Sequence, residues 1–174
     1  MCKTIRYFVF IICIFFSNIA LSIEGIYYID MDEIMNNSLA GKSIIKQLNL
    51  IDESNSNLFK KTEDLLRKEE TKIVSQKNIL EKNEFDKKII LYKKKILDYK
   101  KVRTNKINFF SKKRNEAQLS LTNKLTPIIA DYAEKNSISV ILKKQSIIIA
   151  KTDLDLTKTI IKILDKQLKT IEIK

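Results

Sequence analysis

Residues 52–124 contain neither glycine nor proline and keep their apolar side chains on a seven-residue repeat. Phe59, Leu66, Ile73 and Leu80 are each seven apart, with Leu58 and Leu65 beside the first two. Phe85, Ile89, Tyr92, Ile96 and Tyr99 then step by four, three, four and three. That spacing keeps one seam facing a partner helix when the two wind into a left-handed coiled coil. It predicts a long helical arm rather than part of a compact globule. Between the two series, "EKNEFD" (residues 81–86) changes the phase across Asn83. A fold-back centred near residue 82 or 83 sets Leu80 opposite Phe85, Ile73 opposite Tyr92, Leu65 opposite Lys100 with Tyr99 adjacent, and Leu58 opposite Ile107. The second helix then runs antiparallel to the first, and an arm of about 40 residues is ~60 Å long. A continuous rod with a phase slip, or parallel helices from different chains, would use the same repeat.

The flanking segments have another texture. Ile26-Tyr27-Tyr28-Ile29-Asp30 reads as a short strand, and "SISVIL" (residues 137–142) and "SIIIA" (residues 146–150) read as two more, linked through Lys143-Lys144-Gln145. "DLDLTKTIIKILDKQL" follows as a helix capped by Asp155 or Thr157, with Ile160, Ile161 and Leu164 on its buried stripe. The expected class is α+β: a small three-stranded sheet body, from residues 23–51 and 125–174, carrying the coiled-coil hairpin of residues 52–124. A sheet that small is marginal alone. Copies of the chain are expected to complete it through Ile26, Tyr28, Val140, Leu142, Ile147 and Ile149.

Chemistry is scarce. Histidine is absent, which removes the commonest general base and transition-metal ligand. Lys3 and Arg6 precede an apolar run over residues 7–16, and Ala20-Leu21-Ser22 places small residues at the −3 and −1 positions of a cut after Ser22. Residues 1–22 therefore read as a secretory leader; an uncleaved anchor is the alternative. Cys2 and Cys13 leave with it, so no thiolate nucleophile or ligand remains. The acidic clusters Asp30-Met31-Asp32-Glu33 and Asp153-Leu154-Asp155 read as strand ends and helix caps. "NNSLAGKS" ends like a phosphate loop, but Asn36 stands where the first glycine belongs. No enzyme, cofactor or metal site is expected.

Charge is uneven. The chain has 33 Lys plus Arg against 21 Asp plus Glu. Residues 52–84 hold 7 basic and 8 acidic side chains, whereas residues 85–124 hold 13 and 3, a net of +10. Lys93, Lys94, Lys95, Lys100, Lys101, Arg103, Lys106, Lys112, Lys113 and Arg114 cover much of the second helix, where their field can steer acidic partners. A nucleic-acid binder would use the same charge, but the leader argues against one. Arg103 and Lys106 also fall on the seam's own rhythm, so a bend is expected over residues 102–107.

"IYYIDMDEIMNNSLAGKSIIKQL" and "LTPIIADYAEKNSISVILKKQSIIIAKTDLDLTKTIIKIL" together resemble the Skp (OmpH) periplasmic chaperones over residues 26–164. "AGK" at residues 40–42 follows Ser38-Leu39 here without the family's usual proline, and Asn136 stands where the family often has glycine. The resemblance makes Gly41-Lys42-Ser43 a helix start at the root of an arm. It implies a periplasmic homotrimer whose sheets form a barrel-like body and whose three arms surround a cavity. That cavity would hold unfolded outer-membrane proteins without ATP and prevent their aggregation. The ten basic residues would then be a client-binding wall, helped by exposed Tyr, Phe and Leu near the tip; contact with a membrane surface or lipopolysaccharide is left open. A structural coiled-coil spacer of the envelope would share the arms without binding clients.

Overall fold

The computed structural model describes residues 25–173, so the leader read over residues 1–22 lies outside the described residues. The elements are β1 (Ile26–Ile29), α1 (Met31–Asn37), α2 (Leu39–Ser75), α3 (Lys82–Lys135), β2 (Val140–Lys143) and α4 (Thr157–Gln167). Two 3₁₀ turns, Lys144–Ser146 and Thr152–Leu154, link β2 to α4.

Two caps build the start of the chain. Asp30 Oδ1 accepts the N–H groups of Asp32 and Glu33 at 3.0 and 3.1 Å, which fixes the first turn of α1. Ser38 is a single extended residue between α1 and α2 (φ −72°, ψ 156°), and its Oγ accepts the Gly41 N–H at 3.0 Å. Gly41-Lys42-Ser43 thus lies at the start of a helix, Gly41 and Lys42 in its first turn, as the family resemblance implied.

The arm is an antiparallel hairpin of α2 and α3, 37 and 54 residues long. The chain turns over residues 76–81, earlier than "EKNEFD" suggested. The seam rhythm from Ile73 arrives next at the polar Gln76, where α2 stops and the Gln76 carbonyl collects the N–H groups of Ile79 and Leu80. Leu80, expected in the seam, sits in this turn. Because the turn comes early, the register slides: Tyr99 meets Phe59 and Glu63 rather than the neighbourhood of Leu65. Leu58, Leu65 and Ile107, expected to face partners across the seam, are exposed.

β1 and β2 pair in parallel, with Ile26 beside Val140 and Tyr28 beside Leu142. The expected third strand does not form. After β2, Lys144 Nζ bonds Asp30 Oδ2 at 2.9 Å and Gln145 Nε2 bonds Asp32 Oδ2 at 3.1 Å. These contacts draw the chain across the end of β1 instead of letting it fold back along β2. The left-handed residue after α3 is Ser137 (φ 53°), not Asn136. There the Ile138 N–H reaches the Ala133 carbonyl at 2.9 Å, a helix-ending bond that usually favours glycine one residue earlier in the chain.

Ile34, Ile44, Leu121, Leu125, Ile160 and Leu164 are fully buried, so one core ties α1 and α4 to the root of the arm. Thr157 Oγ1 accepts the Asp30 N–H at 2.9 Å, and Asp165 Oδ1 accepts the Leu39 N–H at 2.7 Å. The N-cap residue of α4 is Leu156, without a side-chain cap bond, rather than Asp155 or Thr157; the Asp155 carboxylate just before it accepts the Thr157 N–H at 2.9 Å, and Ile161 is half-buried.

Asp30 gives a pH prediction. The Lys144 hydrogen bond, followed by the Glu33 N–H, holds its carboxyl below the ordinary carboxylate value. Its contribution to stability is therefore complete above the unfolded-state value and is lost as pH falls through the lowered folded-state value. Urea midpoints followed from about pH 6 to about pH 3 should decline less steeply in Asp30→Asn than in the parent.

Candidate functional site

The arm's seam is formed by the half-buried Phe59 and Leu66 and the buried Ile73 on α2, with the half-buried Phe85, Ile89, Tyr92, Ile96 and Tyr99 on α3. Its middle is polar but paired. The Glu63 carboxylate accepts bonds from the Tyr99 hydroxyl and from Arg103 at 3.2 Å. Arg103 also lies 5.4 Å over the Phe59 ring, and that ring meets Tyr99 edge-on at 6.4 Å. Burial raises the Tyr99 hydroxyl pKa first, and the Glu63 carboxylate adds to it. Tyr92 is raised likewise, by burial and then by Glu70. The tyrosines therefore belong to the seam and not to the exposed tip.

The ten basic residues separate into three sets. Four are paired within the chain with three carboxylates: Lys95 with Glu69 at 2.7 Å, Arg103 with Glu63 at 3.2 Å, and Lys112 and Lys113 sharing Glu116 at 3.8 and 3.1 Å. Arg114 borders a cleft of about 340 Å³ at the arm's root, with Met31, Asp32, Ile44 and Leu48. Lys93, Lys94, Lys100, Lys101 and Lys106 are exposed and have no ion pair among the described residues. Lys94 and Lys101, seven apart, share the face of α3 turned away from α2, while Lys93 and Lys100 share one flank.

Sequence reasoning missed an apolar flank. The Lys95–Glu69 bridge fixes which side of α3 meets which side of α2. Leu65 and Leu58 precede Glu69 by four and eleven residues, and Leu91, Val102 and Phe109 lie four before, seven after and fourteen after Lys95. These are same-face spacings on a helix. The five side chains, each 43% to 66% exposed, line one side of the hairpin. The signal was the seven-residue spacing of Leu58 to Leu65 and of Val102 to Phe109, which the stronger seam repeat obscured.

On the body, Ile26, Val140, Leu142 and Ile149 are exposed. Tyr28, expected at a subunit interface, is instead buried at 8% exposure, because the 3₁₀ turn before α4 packs on it and its carbonyl accepts the Leu156 N–H at 2.9 Å. Ile147 is half-buried, whereas Ile148 stands fully exposed beside Ile149. Among the described residues there is no group of three or more side chains suited to holding a metal ion, and no helix is long and apolar enough to cross a membrane.

The fold has a solved counterpart. A crystal structure from Caulobacter crescentus, described as an OmpH-like outer membrane chaperone, superposes with a TM-score of 0.75 over 87% of this chain and 89% of that one, at 16% identity. None of the curated proteins compared with the chain matches it. The profile of the family described as "Outer membrane protein (OmpH-like)" matches residues 25–164, most of the chain, which therefore belongs to the OmpH-like family.

Proposed function

We propose that this protein is an ATP-independent periplasmic holdase that binds unfolded outer-membrane proteins between its arms and prevents their aggregation. The observation that carries the reading is the arm surface itself. One hairpin presents an apolar flank of Leu58, Leu65, Leu91, Val102 and Phe109, with the unpaired Lys94 and Lys101 on the back of α3 and the unpaired Lys93 and Lys100 on its opposite flank. Scattered apolar contacts plus long-range positive charge suit a surface that must accept many sequences and let them go. This activity needs no catalytic residue.

A homotrimer completes the proposal. β1 and β2 form only a two-stranded pair, and Ile26, Val140, Leu142, Ile148 and Ile149 leave apolar surface around it. Contiguous exposed apolar surface of this kind marks an interface. The test is the mass in solution, followed by dilution of a urea-unfolded outer-membrane barrel protein into the chain while light scattering is followed. A trimer that suppresses scattering at stoichiometric amounts without ATP supports the proposal. A trimer that leaves the barrel protein to precipitate favours an envelope spacer.

The arm should also bend. Every residue of α3 from Lys100 to Phe109 is exposed, and Lys106, on the seam rhythm, has no ion pair among the described residues. Amide exchange over residues 102–107 is expected to be faster than in the heptads on either side, because polar seam positions weaken helix pairing. Exchange no faster there would mean that the arm is stiff along its length.

A further inference from the structure

The last described residues are held in an unusual way. Leu168 leaves α4 extended (φ −143°, ψ 113°), and beyond it Ile171 is buried, Glu172 exposed and Ile173 half-buried. The side-chain amide of Gln47, on α2, grips this segment by its backbone. Nε2 donates to the Ile171 carbonyl at 2.7 Å, and Oε1 accepts the Ile173 N–H at 3.0 Å. Nε2 also donates to the Ser43 carbonyl at 3.1 Å, one turn back on α2, which fixes the amide's orientation. Bonding the carbonyl of one residue and the N–H of the residue two further on is what one residue of a neighbouring parallel strand does. Gln47 replaces that strand with a single side chain.

Neither bond reads a side chain. Selection comes from the packing: Ile171 is buried in the core, Ile173 packs against that core, and a hollow beside Ile173 is walled by Glu116, Ala117 and Ser120 of α3 and by Glu172. Such a site accepts any extended segment with apolar side chains at alternate positions. Strands of transmembrane barrels have that pattern, apolar on one face and polar on the other.

We infer that Gln47 and the cleft between α2 and α3 at the arm's root form an extended-peptide site. The chain's own residues 171–173 occupy it, and a client strand with apolar side chains two residues apart displaces them. The identity of that client rests on the chaperone reading above, while the site itself does not. Removing the tail would leave the cleft vacant at the point where the arm meets the body. A captured strand would be anchored there by its backbone while the rest of the client is held along the arms.

The experiment uses the full chain and a capped peptide, acetyl-LKTIEI-amide, which repeats residues 168–173 and differs in mass from any fragment of the protein. Deuterium exchange is read on the C-terminal fragment of the protein, with and without excess peptide. The peptide is expected to speed exchange at Ile173 several-fold, and a version with glutamate at both isoleucines should not. In Gln47→Leu the same fragment should exchange fast without any peptide. Exchange in the parent chain that stays unchanged up to the solubility limit of the peptide would overturn the site and make the tail a permanent part of the core. Suppression of barrel-protein aggregation is measured separately, so either result can fail without the other.

Discussion

Replacing Lys93, Lys94, Lys100 and Lys101 together by glutamate is expected to weaken capture of an unfolded, acidic barrel protein at least about tenfold in low salt. Helicity should not change. These four are exposed and carry no ion pair among the described residues, so reversing them changes the surface charge without breaking the arm. Reversing Lys95 or Arg103 would instead cut the links to Glu69 and Glu63 that hold the helices together. The four changes turn 13 basic and 3 acidic side chains in residues 85–124 into 9 and 7, which lowers the local net charge from +10 to +2. An exposed pair contributes only about 0.2–1 kcal/mol. A tenfold effect, ~1.4 kcal/mol, therefore requires several lysines acting at once, which the ~30 Å screening length of about 0.01 M salt allows. The difference between parent and variant should shrink as salt is raised. Equal affinity at low salt would show that these lysines only keep the arm hydrated and that the apolar flank does the holding.

The sequence disclosed whatever was periodic. The seam from Phe59 to Ile73 and from Phe85 to Tyr99 was readable because apolar spacing fixes which helix face is covered. The buried Ile160 and Leu164 of α4 were readable for the same reason. What depends on contacts distant in sequence was not readable. The third strand failed because Lys144 and Gln145 reach Asp30 and Asp32, more than a hundred residues away. The turn was placed late because Leu80 continues the heptad in sequence while Gln76 ends it in space. The basic set looked uniform until Glu63, Glu69 and Glu116 divided it into paired and unpaired members. The grip of Gln47 on the tail had no local signature at all.

Gly41→Ala should destabilise the protein by about 3 kcal/mol, although glycine to alanine inside a helix ordinarily gains up to about 1 kcal/mol. The sign reverses because of where α1 lies. A Cβ on Gly41 would stand 2.0 Å from the Met35 carbonyl oxygen, 2.7 Å from its carbon and 2.8 Å from its Cα. All three are backbone atoms, so no rotamer change relieves the clash. Shifting α1 is also costly, since Asp30 caps it, Ile34 is buried in the core, and Ser38 holds the kink by accepting the Gly41 N–H. The urea midpoint of Gly41→Ala is therefore expected to fall well below that of the parent. Lys42→Ala, at an exposed position one residue on, should stay within about 0.5 kcal/mol. The pair of variants also distinguishes the two meanings of Gly41-Lys42-Ser43. In a phosphate loop the lysine would be the sensitive residue and nucleotide the missing ligand; at a tight helix junction the glycine is sensitive, and nucleotide changes nothing. A Gly41→Ala protein as stable as the parent would mean that α1 does not press on α2 at this kink.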